Sequence, residues 1–126
     1  MRSIYLFHIL SAILLFKSGC NEKKQTSSLE YKGRLEAAGL CMNYTISVIE
    51  GKIDTSKIVA QWTDEVTKKQ YSQVFKLGNP CSFPDKIKQG DEFYFQIDTA
   101  KQADCAVCMA YYPTPSKSLN IKVINK

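Results

Sequence analysis

Beyond residue 8 this chain contains no histidine; its single copy, His8, lies in the first apolar stretch. That shortage excludes a good deal of chemistry. A Ser-His-Asp or Cys-His pair has no imidazole to activate its nucleophile. Histidine-ligated zinc is excluded too, as is a Cys-x-x-Cys-His haem attachment, because Met109 follows Cys108. With the commonest general base missing, no enzymatic activity is expected, and no cofactor or bound metal is required.

Long apolar runs are equally scarce. The one near-continuous stretch, Ile4 to Phe16, is about thirteen residues, short of the ~20 that cross a bilayer as a helix. There is no Gly-rich phosphate loop and no internal repeat. Nor is positive charge concentrated. Seventeen Lys and Arg against twelve Asp and Glu give a formal +5, scattered along the chain. Losing Arg2 and Lys17 with a leader would lower this to about +3. Such a mixed surface is not a nucleic-acid stripe, and no nucleic-acid partner is expected.

What the chain does have is an informative start. Arg2, the apolar run, small residues Ser18 and Gly19, then Cys20 and a polar run from Asn21 to Ser28 follow in the order of a secretory signal peptide. Lys17-Ser18-Gly19-Cys20 resembles the lipobox of bacterial lipoproteins, with Lys17 standing where an aliphatic residue is usual. The polar, Lys-rich start after Cys20 resembles small surface lipoproteins of the Bacteroidota type. These resemblances imply cleavage before Cys20, lipidation of Cys20, and a membrane partner reached through that lipid. They imply a cell-envelope location, the outer membrane or cell surface rather than the inner membrane. Residues 1–19 are then signal peptide, 20–30 the lipidated cysteine and a flexible tether, and 31–126 one domain. The tether's ten residues span on the order of 15–20 Å root-mean-square.

Four cysteines remain: Cys41, Cys81, Cys105 and Cys108. In an exported domain of this size they are expected to form two disulfides. Four cysteines allow three pairings, and the expected one is Cys41–Cys81 with Cys105–Cys108. In an extended strand, however, Cys105 and Cys108 point to opposite faces. They bond each other only if the chain turns locally, and otherwise each takes a separate partner.

Period-two patterning dominates from Tyr31 onward. Tyr31–Ala38, Gly39 as a bend, and Leu40–Val48 read as a long bent strand. Lys57–Trp62 and Gln70–Leu77 read as a hairpin, with Trp62 and Tyr71 paired at its neck. Ser82–Lys88 reads as a short helix ended by Gly90, with Phe83 and Ile87 plugging a core. Phe93, Phe95 and Ile97 face inward on a fourth strand, Cys105–Tyr112 forms a fifth, and Leu119, Ile121 and Val123 a last one. This order resembles an OB-fold, an all-β Greek-key barrel of five to six strands with one short helix. An open β-sandwich is the alternative.

The resemblance implies ligand binding on one barrel face, near Trp62, Tyr71 and Gln73, with Tyr94 and Tyr112 extending the platform. Tyr111 could join them. The expected role is a lipid-anchored binding or interaction module for an extracytoplasmic protein, glycan or small ligand. The alternative is a copper- or zinc-handling or thiol-redox protein built on Cys105, Cys108 and Met109. The acidic pairs Asp64-Glu65 and Asp91-Glu92 read as solvated turns.

Overall fold

The computed structural model describes residues 29–126, so the expected signal peptide, Cys20 and most of the expected tether lie outside the described residues. Seven strands join in one mainly antiparallel sheet. They are β1 (Tyr31–Gly39), β2 (Asn43–Glu50), β3 (Val59–Thr63), β4 (Gln70–Leu77), β5 (Glu92–Ile97), β6 (Ser118–Leu119) and β7 (Ile121–Ile124). The ladder runs β3-β4-β2-β1-β5-β7, and β6 pairs in parallel with β4.

The alternation in the sequence sets the core. Along β1, Tyr31, Leu35 and Ala37 are buried while Lys32, Arg34 and Glu36 turn outward. Phe93 and Phe95 face inward on β5. In the ladder β4 and β5 are separated by β2 and β1, yet Phe75 and Phe95 meet at 5.9 Å between ring centroids. The sheet therefore curls around its apolar face. The domain is all-β, but the sheet is not a closed barrel. β6 and β7 are interrupted at Asn120, only two residue pairs join β6 to β4, and β3 is left as an edge. All strands belong to one sheet, so the sandwich alternative does not describe the fold either.

Three expected elements are corrected. The long bent strand is a hairpin: β1 and β2 pair antiparallel, and a 3-10 turn at Leu40–Met42 reverses the chain. Cys41 and Met42 both adopt positive φ, 58° and 59°, the twist that a tight hairpin turn demands. Leu40 is consequently exposed. The expected helix at Ser82–Lys88 is instead a 3-10 turn at Pro80–Ser82 followed by irregular turns. Pro84 is the cause, because proline disfavours the α region for the residue before it, and Phe83 is extended at φ −78°, ψ 133°. Phe83 still plugs the core, edge-on to Phe93 at 5.3 Å, and Ile87 packs beside it. Finally, Cys105–Tyr112 forms no strand, since β6 and β7 take the available edges of β4 and β5.

Candidate functional site

The stretch from Asp98 to Lys117 joins no ladder and is held by covalent and polar clamps instead. The disulfides are Cys41–Cys108 and Cys81–Cys105, with Cα separations of 5.1 and 5.8 Å. This corrects the expected Cys41–Cys81 and Cys105–Cys108 pairing. No tight turn brings Cys105 and Cys108 together, so each bonds a different hairpin or turn. Asp98 fixes the loop's start. Its carboxylate accepts from the Ala100 N–H at 2.9 Å and from Gln102 Nε2 at 3.2 Å, and these bonds hold its pKa below the ordinary value. Asn43 Nδ2 donates to the Leu40 carbonyl at 2.7 Å and reaches the Ala110 carbonyl at 3.4 Å. A groove of about 300 Å³ lies under the loop between Met42, Leu77, Pro80 and Val107.

Both bridges consume the thiols that a redox or metal role would use. Met109 stands alone at 96% exposure. No group of three or more His, Cys, Asp or Glu among the described residues could hold a metal ion. Two disulfides point to an oxidising, non-cytoplasmic location. No helix among the described residues is long and apolar enough to cross a membrane.

The second feature is an aromatic face. Trp62 and Tyr71 are cross-strand partners, with centroids 6.1 Å apart and planes inclined by 22°. Tyr112 arrives from the end of the disulfide-held loop and packs against Gly39, where any Cβ would collide with its ring. Tyr71 feels Glu36, Asp64 and Tyr112. Burial above all, and then these neighbours, raise its phenol pKa above the ordinary value.

Glu36 sits at a register irregularity in β1, is largely covered, and accepts from Ser47 Oγ at 2.6 Å. Thr45, Ser47 and Val74 are buried nearby on β2 and β4, and Thr45 Oγ1 has no partner among the described residues. Sequence patterning marks Glu36 only as an outward residue of β1. The bulge and the Ser47 contact that make it half-buried leave no local signature.

Asp64 also departs from expectation. It is buried, its Oδ1 accepting from the Val66 N–H at 2.8 Å while Oδ2 has no partner among the described residues. The hairpin turn thus wraps the carboxylate that was expected to be solvated.

The other two platform residues lie apart. Gln73 takes a positive φ of 52° within β4 and lines a separate groove with Ile53, Ile58 and Ala60. Tyr94 faces outward on β5, with the ammonium groups of Lys32 and Lys126 at 5.7 and 4.5 Å from its ring centre. Lys32 also pairs with Glu50 and Glu92, and Arg34 with Glu92 at 2.8 Å. Of the five expected ligand residues, only Trp62 and Tyr71 stack on each other; Tyr112, like Glu36, acts on the Tyr71 phenol electrostatically. Comparison with protein-family models, curated proteins and solved structures found no match for this chain.

Proposed function

We propose that this protein is a non-enzymatic, lipid-anchored module of the bacterial cell envelope, held at the outer membrane or cell surface through Cys20, that binds a hydroxyl-rich ligand such as a glycan. What supports the ligand class is the stacked Trp62–Tyr71 pair, with the largely covered Glu36 carboxylate close enough to help raise the Tyr71 phenol pKa. Aromatic faces take the apolar side of a sugar ring, and a carboxylate accepts from its hydroxyls. The OB-like reading is supported by the strand path, in which the β6–β7 segment reaches from β4 to β5.

Trp62 is the chain's single tryptophan, so its fluorescence reports this face directly. Titration with soluble envelope oligosaccharides should change that emission, and Glu36→Gln should weaken the response. Unchanged emission across the panel would overturn the ligand class. Anchoring is tested separately: palmitate labelling should disappear in Cys20→Ser, and continued labelling would refute it.

A further inference from the structure

We propose that the groove between the β2–β3 connection and Gln73 binds a small carboxylate with an aliphatic body, at a site separate from the Trp62–Tyr71 face. Its volume is about 290 Å³, close to the lower bound of the ~300–1,000 Å³ usual for small-molecule sites. Ile53 and Ile58 form its floor, and both are buried members of the core cluster. Ala60 lies beside them, and Lys52, Thr55 and Gln73 form the rim. An apolar floor with a few polar groups at the rim is the usual composition of a ligand site.

The rim determines the ligand's charge. Lys52, Thr55 and Gln73 are exposed, and each side chain can donate a hydrogen bond. Among the described residues none of the three side chains enters a hydrogen bond or an ion pair. Lys52 is the one charged residue of the lining. The carboxylates on either side of it in the chain are engaged elsewhere. Glu50 pairs with Lys32 at 3.6 Å, and Asp54 accepts from the Ser56 N–H and hydroxyl at 2.9 and 2.8 Å. Lys57 further offsets the charge of Asp54. A ligand carboxylate supplies the acceptor that Lys52 lacks, and hydrogen bonds between charged groups are about twice as strong as neutral ones. The hydrocarbon of the same molecule then lies over Ile53, Ile58 and Ala60.

The shape of the groove depends on unusual backbone at two positions. Gly51 has φ 101° and Gln73 has φ 52°. Glycine takes this region freely, and here a Cβ would come within 2.8 Å of Tyr31 Cδ1. Gln73 enters it against the preference of a residue with a Cβ, and no other residue of β4 does so. Register is kept on both sides, Val59 opposite Val74 and Gln61 opposite Ser72, so the strand has not slipped. Strain held at one exposed mid-strand residue points to a role for its side chain. The opposite wall is fixed by the 3-10 turn Thr55–Lys57, which Asp54 caps. A preformed site of this kind lowers the ordering cost of binding.

Octanoate is the probe. The mature chain bearing Cys20→Ser, which has no acyl group of its own to compete, is titrated while backbone amide resonances are followed. Shifts should saturate with a dissociation constant of about 1 mM or tighter. They should centre on residues 51–60 and on Gln73. Octylammonium and octanamide, with the same body and no negative charge, should bind at least tenfold more weakly. Lys52→Gln and Gln73→Ala, both at exposed positions, should each weaken octanoate at least fivefold with the unfolding midpoint unchanged. Absence of saturable shifts would overturn the proposal, as would equal binding of octylammonium or undiminished binding in Lys52→Gln. Shifts centred on Trp62 and Tyr71 would assign octanoate to the aromatic face and overturn it too. Glycan binding is scored apart by Trp62 emission, so failure of either site is read independently of the other.

Discussion

The side-chain amide of Asn79 pairs with both backbone groups of Ile121. Its Nδ2 donates to the Ile121 carbonyl at 2.8 Å, and its Oδ1 accepts from the Ile121 N–H at 2.8 Å. Asn79 immediately follows the Gly78 N–H that bonds Leu119, so a side chain continues the β4–β6 contact where the ladder stops. Asn79→Ala should destabilise the domain by about 2–4 kcal/mol, because it strands two buried peptide groups. Chemical denaturation of the mature chain measures this, and a loss below 1 kcal/mol would show that water replaces the amide.

The bridges give a second prediction. Peptide mapping without reduction should recover Cys41 linked to Cys108 and Cys81 linked to Cys105. The sequence separations are 67 and 24 residues. On loop-closure grounds, removing the first pair should cost roughly 4 kcal/mol and the second roughly 3 kcal/mol. Double Ser variants compared by thermal unfolding would check the order.

A third concerns the core. Phe95 is fully buried and contacts the rings of Tyr31, Phe75 and Phe93. Phe95→Ala should cost ~3–5 kcal/mol. An unchanged unfolding midpoint would mean that this ring is not at the centre of packing.

Acid supplies the fourth. Hydrogen bonds from the Ser56 backbone N–H and hydroxyl depress the Asp54 pKa, the Arg34 guanidinium depresses Glu92, and the Ala100 N–H and Gln102 depress Asp98. Each folded-state value lies below its unfolded one. Their contribution is therefore complete above about pH 5 and is lost as pH falls through the lowered values. These groups are exposed, so the effect should be modest and salt-dependent. Melting midpoints should decline below about pH 4, less steeply in Asp98→Asn.

Much of the fold was legible because it depends on local pattern. β4 occupies Gln70–Leu77, as its alternation indicates, and the Trp62–Tyr71 pair follows from hairpin register. The remainder depends on relations that alternation does not encode. Pro84 overrides the Phe83–Ile87 spacing by removing helical geometry from its predecessor. Cys105–Tyr112 has the composition of a strand, but composition does not say whether an edge is free to pair with it. Disulfide partners 67 residues apart are set by the completed sheet, not by nearby sequence. The candidate site shows the same division: its aromatic rings stood out, while the half-buried state of Glu36 required knowing where β2 would lie.

Because both bridges end within residues 105–108, a tryptic nick after exposed Lys101 would leave the two pieces on either side of it joined by two covalent links. They would migrate as one molecule until a reductant is added. That separability makes the carboxy-terminal piece, with the exposed Met109 and both final strands, a candidate for replacement by a synthetic peptide bearing labels or altered side chains.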